Sequence, residues 1–384
     1  MKSRWLVLLV VVIFALGVVA ASCGKEEPST TTTSKATVES STTSATTPTT
    51  AQETTSSSAA PSGEVIKLKY ADQNPDTGWE GQHAAKPWLE QIEKAAGGKV
   101  KIEAYFGQTL FKGTDAWESL KAGVGDFAWC FHGYWAGLTS LADVITLPFL
   151  PVESAELGSA VLWQLYQEFP SIQEQFKDNH VLLTWTSSPY YLLTTKKKVE
   201  TLADIKGLKI RAIGGPPTKL IEAMGGVPVS MGMPDTYQAL QTGVLDGILD
   251  NWEAIYSFRH YEVCKYMTMV PFHLVYFTQS FNKAKWESLP DDVKAAFESV
   301  SGLEGSKFWG ANMFDSAAAA VEGVLKEKGY ELTKITPPEQ EVNSWREQFG
   351  KPLWEQWVKD REAEGHPEAR DILNRALELI EKGL

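Results

Sequence analysis

The sequence predicts two α/β lobes facing each other across a cleft, with helices near the C-terminal end bracing them. Three observations carry this prediction. Residues 118–129 (ESLKAGVGDFAW) and 238–249 (QALQTGVLDGIL) share Leu120/Leu240, Gly123/Gly243, Val124/Val244 and Asp126/Asp246 without a gap, 120 residues apart. Strand and helix patterns alternate up to Thr278, whereas from Pro290 the pattern is largely helical. The 321 residues from Glu64 onward are enough to give each of two lobes its own core.

Each copy of the repeat reads as a helix end, a glycine stop and a short buried strand opened by an aspartate. Each also follows a lysine-led strand, at 99–105 (KVKIEAY) and 208–213 (LKIRAI), which makes Glu103 the first-copy counterpart of Arg211. Shared α/β grammar without a lobe relation is the alternative source of such a pattern.

In order along the chain, 64–71 alternates as a strand, and 83–95 has helical periodicity stopped by Gly97 and Gly98. Strands follow at Val100–Tyr105 and 126–130, separated by a helix at 115–121. An apolar run at 138–150 is closed by Pro148 and Pro151, and helices at 155–169 and 172–178 lead to a strand at 180–186. The second unit has strands at Tyr190–Thr194, 208–213, 227–230 and 247–249, and helices at 217–224, 235–241 and 257–264. An extended stretch at 267–278 carries the chain back toward the first lobe. Helices then cover 291–328, 338–349, 353–359 and 366–382. The expected divisions are 1–22, 23–63, 64–188 (first lobe, first part), 189–272 (second lobe) and 273–384 (return strand and C-terminal helices).

The first two divisions concern location. Lys2 and Arg4 precede an apolar run over 5–21, then small residues and Cys23, the layout of a secretory signal; a retained membrane span is the alternative. The segment VVAASCG resembles a bacterial lipoprotein signal, which implies lipidation of Cys23 and anchoring of the chain to the membrane. Residues 28–62 hold 22 Ser or Thr in 35 positions and almost no apolar side chain, the composition of a disordered tether.

The net charge is −12, or −14 without Lys2 and Arg4, and no dense basic patch offsets it, which argues against nucleic acid as a partner. Cys130 and Cys264 sit in apolar surroundings and read as buried thiols. The six histidines show no metal-ligand spacing, so no metal is expected, and no nucleotide, zincin or nucleophile-elbow motif points to a cofactor or to catalysis.

Ligands of α/β sheets gather beyond the carboxyl ends of strands. Arg211 ends a strand just before Gly214, Gly215, Pro216 and Pro217, and a guanidinium there can grip a carboxylate through two hydrogen bonds. A surface pair with Glu222 or Asp235 is the plain alternative. Equivalent strand ends add Asp72, Asn74 and Trp79, then Phe131, His132 and Tyr134, then Asp250, Asn251 and Trp252. Trp185 is a further candidate aromatic wall, although each of these tryptophans is more often core than pocket.

Residues 202–247 (LADIKGLKIRAIGGPPTKLIEAMGGVPVSMGMPDTYQALQTGVLDG), 97–129 and 142–150 (ADVITLPFL) resemble the DctP-type solute-binding proteins of TRAP transporters, over roughly residues 65–325. The resemblance implies a periplasmic-binding-protein-like fold, no enzymatic activity and an extracytoplasmic place. It also implies a small organic acid as ligand, with the small and large integral-membrane permease subunits as partners. By the same resemblance Arg211 binds the ligand carboxylate, and Met233 and residues 250–252 line the pocket. Sialic-acid-type members carry a second arginine where this chain has Pro189, Tyr190 and Tyr191, and an acidic residue where it has Phe131. These departures point to a monocarboxylate with an apolar or aromatic part. The rival readings are a binding component of an ATP-driven importer and a secreted hydrolase.

Overall fold

The computed structural model describes residues 64–384, so the expectations for the signal segment, Cys23 and the tether lie outside the described residues. Eleven strands form two sheets among the described residues. They are β1 (Ile66–Ala71), β2 (Val100–Tyr105), β3 (Phe127–Phe131), β4 (Asn179–Thr186), β5 (Tyr190–Thr194), β6 (Lys209–Arg211), β7 (Val227–Val229), β8 (Gly247–Asp250), β9 (Tyr266–His273), β10 (Tyr276–Asn282) and β11 (Thr333–Ile335). The first sheet has the order β2-β1-β3-β10-β4 and the second β11-β9-β5-β8-β6-β7. Both are mixed. The parallel core of each is joined by helices, and an antiparallel strand enters from elsewhere in the chain (β10 beside β3, β5 beside β8).

The repeat is a lobe relation. Asp126 opens β3, and its Oδ2 accepts the backbone N–H of Lys69 at 2.7 Å; Asp246 opens β8 and accepts that of Lys209 at 2.9 Å. The same two aspartates donate their own N–H groups back to Lys69 and Lys209. A carboxylate immediately before a strand thus clips the neighbouring parallel strand, once in each lobe. This pairing corrects the expected correspondence. The strand equivalent to β6 is β1, the second strand from the edge of its sheet, because β1 lies between β2 and β3 as β6 lies between β7 and β8. Ala71 pairs with Ala128 as Arg211 pairs with Ile248, so the counterpart of Arg211 is Ala71 and not Glu103.

The helix before each clip ends similarly. In the second lobe, Thr236–Thr242 stops at Gly243 in the left-handed region (φ 79°), where a residue without a Cβ is unstrained. The expected helix over 257–264 starts earlier instead. The Asn251 side chain accepts from Ala254 N at 3.2 Å and caps a helix over Trp252–Ser257, after which Arg259 turns the chain at φ 58°.

The described chain crosses between the lobes four times, the last time between β11 and the helix Ala369–Lys382. Ser187–Pro189 runs from β4 to β5, and Leu274-Val275 runs from β9 to β10; Ser187 N donates to Val275 O at 2.9 Å and Val275 N to Ser187 Oγ at 3.0 Å. The third is one long helical rod, Gly302–Trp309, a π turn at Gly310–Asp315, and Ser316–Glu327. Trp309 packs in the first lobe's core, and Ala317, Val321 and Leu325 in the second's. Gly310 lets the rod touch the helix Ala155–Glu168: a Cβ there would lie 2.6 Å from Ala155 O. Asp315 then accepts the Ala155 and Glu156 N–H groups at 2.7 and 2.9 Å. Beyond the rod the chain returns to the second sheet as β11, a strand absent from the sequence reading. The helix Ala369–Lys382 buries Ile372, Leu373, Ala376 and Leu379 in the first lobe's core, and Trp345 stacks on Phe272 of β9.

Candidate functional site

A small, nearly closed cavity of about 20 Å³ lies where the lobes meet. The first lobe contributes Gln73 and Asn74 beyond β1, Trp129 and Phe131 on β3, and Phe277 on β10. Tyr190, Arg211, Met233, Glu253 and Phe258 come from the second lobe, while the π turn of the rod adds Met313 and Phe314. A π turn widens the helix by one residue and so turns both side chains inward from a rod otherwise packed on its neighbours.

Arg211 is the cation of this cavity. It is 1% exposed, its Nε donates to Met231 O at 3.2 Å, and its Nη2 has no partner among the described residues. Burying a guanidinium nitrogen without an acceptor is costly, so the group is poised for one supplied from outside. Neither Glu222 nor Asp235 forms an ion pair with it, which removes the plain alternative. Its charge also pushes down His273, already held at about 4 by burial, so that imidazole is neutral at pH 7.

Of the other expected residues, Asn74, Phe131 and Met233 line the cavity with Arg211. Asp72 stands one step behind. Its carboxylate accepts Tyr70 Oη at 2.6 Å and the Asn74 N and Nδ2 at 2.8 and 3.0 Å, fixing the loop that presents Asn74, and burial pushes it up to about 6. Tyr134 bridges the lobes: its hydroxyl donates to Gln73 Oε1 at 2.8 Å and accepts Met233 N at 3.0 Å. Gly214 lies against the other lobe, since a Cβ there would lie 3.5 Å from Gly133 Cα. Trp79 also joins the lobes, through its N–H to Ser257 Oγ at 2.9 Å and its Nε1 to Ser316 Oγ at 2.8 Å.

Six expected residues point elsewhere. Tyr191 alternates away from the cavity because successive strand residues face opposite sides; Tyr190 takes its place, and Tyr191 lines a separate groove of about 710 Å³ with Phe149 and Trp354. Trp185 is fully buried behind Phe277 and against Trp309. His132 is core: it bonds Thr278 Oγ1 at 2.9 Å and stacks on Tyr276, and burial lowers it to about 3. Asp250 is turned inward to His260 Nδ1 at 2.5 Å, whose Nε2 meets Thr236 Oγ1 at 2.6 Å. Trp252 packs in the second lobe's core beneath Lys334, and Asn251 is occupied as the helix cap.

The sequence reading missed Gln73, Trp129, Tyr190, Glu253, Phe258, Phe277, Met313 and Phe314. Strand alternation from Phe131 leads back to Trp129, and Gln73 adjoins Asn74, so those two were within reach. Nothing local marks Met313 and Phe314. Both cysteines are buried and free, and their thiols are pushed up by burial. No cluster of metal-ligating side chains and no helix long and apolar enough to cross a membrane occurs among the described residues.

Residues 70–360 match the model of DctP, the bacterial extracellular solute-binding proteins of family 7. A solute-binding protein of Chromohalobacter salexigens is 24% identical over 292 residues, 76% of this chain and 83% of that relative. Among solved structures, a TRAP solute-binding protein of Rhodoferax ferrireducens T118 in complex with copurified benzoate is 28% identical. Its TM-score is 0.77, over 83% of this chain and 98% of that one. A marine metagenome TRAP solute-binding protein specific for aromatic acid ligands, crystallised with 3-hydroxybenzoate, is 27% identical with a TM-score of 0.77, over 83% and 99%. With two α/β lobes closing on a cavity, and a family match spanning most of its length, the chain belongs to the DctP family of extracytoplasmic solute-binding proteins, non-enzymatic proteins that serve TRAP permeases.

Proposed function

We propose that this protein captures an aromatic monocarboxylate between its lobes and delivers it to the small and large membrane subunits of a TRAP permease. The observation that carries this reading is Arg211, a buried cation with an unpartnered Nη2 in a cavity otherwise walled largely by Trp129, Phe131, Tyr190, Phe258, Phe277 and Phe314. One guanidinium neutralises one carboxylate, and the aromatic faces match an apolar ring by area and by offset stacking. Relatives that hold benzoate and 3-hydroxybenzoate share this fold, which supports the same class of ligand here.

Closure excludes water and lowers the local dielectric, which strengthens the Arg211–carboxylate pair. The Tyr134 hydroxyl and the Trp79 N–H groups form bonds between the lobes that exist only when these surfaces meet. Upstream, Cys23 as a lipidated residue and the Ser/Thr-rich segment as its tether would hold the protein beside the permease; the lipoprotein-like segment supports this.

The test is a thermal-shift and calorimetric screen of the protein with benzoate, succinate and glucuronate. Binding of benzoate with at least about tenfold preference over the other two is expected, because the second carboxylate or the hydroxyls of the others would be buried without partners. Preference for either of the others refutes the reading. Mass spectrometry of the membrane-extracted protein, with a Cys23→Ser control, reports on the lipid.

A further inference from the structure

Opposite in sign to Arg211, the cavity carries one acid on its wall. Glu253 lies in the first turn of the helix Trp252–Ser257 and is 2% exposed. It makes no ion pair with Arg211, so neither charge cancels the other. The charges acting most on it are the like charges of Asp250 and Asp72, and burial together with them pushes it up to about 7.

Its two oxygens differ in occupation. Oε1 accepts Ser257 Oγ at 2.5 Å and faces the Glu80 N–H of the first lobe at 3.4 Å. Oε2 receives no hydrogen bond from any described residue. The first oxygen is committed to holding the lobes together, and the second is left over on a residue that lines the cavity.

We infer that Glu253 reads the ring of the bound acid: its Oε2 pairs with a ring hydroxyl and turns away a second carboxylate at that same ring position. The inference rests on the aromatic monocarboxylate reading and adds to it a substrate class, the hydroxylated aromatic monocarboxylates. The chemistry is one of sign and protons. Above about pH 7 Glu253 is ionised, so at the roughly pH 8.5 used for the titrations below a phenolic hydroxyl brings a proton to an acceptor that lacks one, and such charge-assisted bonds are among the strong ones. A carboxylate at the same position brings another negative charge to a site whose neighbours are already Asp250 and Asp72, with no second cation on the wall. Specificity here comes from repulsion as much as from attraction.

The experiment is titration calorimetry of the whole protein with benzoate, the three hydroxybenzoates and the three benzenedicarboxylates, for wild type and Glu253→Gln. Glutamine keeps an acceptor for Ser257 and Glu80 and removes the charge. In the wild type, one ring position should gain at least about fivefold from a hydroxyl and lose at least about fiftyfold from a carboxylate, relative to benzoate. In Glu253→Gln, both factors at that position, each taken relative to the variant's own benzoate affinity, should shrink several-fold.

Hydroxyl gain and carboxylate penalty at different positions, or no gain at any position, overturn the inference while leaving the benzoate reading intact. So does a glutamine variant that weakens every ligand equally, the signature of a strut between lobes. Absence of binding by any of the seven acids removes the aromatic-acid reading and the inference with it. Should the glutamine variant fail to fold, the coincidence of the two effects at one ring position in the wild type still decides the matter.

Discussion

Arg211 pairs through the backbone with β7 and β8, lies almost wholly out of solvent, and keeps one guanidinium nitrogen without an acceptor. Its counterpart in the other lobe is Ala71, so the two-fold likeness of the frame yields a cavity with a cation on one side only. A single carboxylate bound there would be oriented rather than merely retained. Replacing Arg211 with alanine should cost about 2–5 kcal/mol of binding free energy, because the ligand charge would be buried without its partner. Replacing it with lysine should recover only part of this, since an ammonium cannot make the paired bonds of the fork. Calorimetry with benzoate checks both; an alanine variant that binds within threefold of wild type, the limit of experimental noise and minor repacking, refutes the role.

At the scale of elements, the repeated aspartates tie strands together. Asp126 and Asp246 each exchange two hydrogen bonds with a lysine backbone on the adjacent parallel strand. Asp246→Ala should lower stability by about 1–2 kcal/mol, seen as a fall of a few degrees in Tm, and Asp246→Asn should restore most of it because its Oδ1 still accepts. Equal loss in both variants would mean that charge, rather than the clip, is what matters. These motifs were legible in the sequence because helix end, glycine stop and strand start are local events. The helix over Trp252–Ser257 was less so: Asn251 and Trp252 read as ligand groups, while in the structure one caps the helix and the other packs beneath Lys334.

For the whole molecule, closure and pH response follow from what the lobes bury. Tyr134→Phe removes a hydroxyl that joins Gln73 to Met233 N across the cleft. In the open form those groups meet water, so the change should weaken ligand binding by about 1–2 kcal/mol and leave the melting temperature of the ligand-free open form unchanged. Burial pushes Asp143 and Glu253 up to about 7 and Glu80 well above the usual carboxylate range. A carboxyl whose folded pKa is raised binds more protons folded than unfolded, so its contribution is full at low pH and is lost as pH rises through the folded value. His132, His180 and His273, lowered to about 3, 4 and 4, act in the opposite sense, and their effect is complete by about pH 6.5. The carboxyl contributions, that of Asp72 among them, are lost between about pH 4 and 7 while those of the histidines are gained between about 4 and 6.5, so the stability of the ligand-free protein should fall between about pH 6.5 and 7, where only carboxyls still titrate. Asp143→Asn should flatten that fall. Thermal melts across pH report it, and a Tm that rises over this window would contradict the assignment.

Sequence alone determined the lobe frame, the sign and place of Arg211, and the extracytoplasmic family, because periodicity, glycine stops and a contiguous signature need no knowledge of distant contacts. It also marked Asn74 and Phe131, which follow or end strands, where α/β folds bring ligands, and Met233 through the family resemblance. Tertiary structure decided which face each neighbour shows: Tyr190 rather than Tyr191, Asp250 turned to His260, Trp185 behind Phe277. It also brought in Phe277, Met313 and Phe314 from a return strand and a π turn far along the chain. Their part in the cavity exists only because the rod and the crossing strands pack the two lobes against one another, and no local pattern encodes a contact made across so many residues.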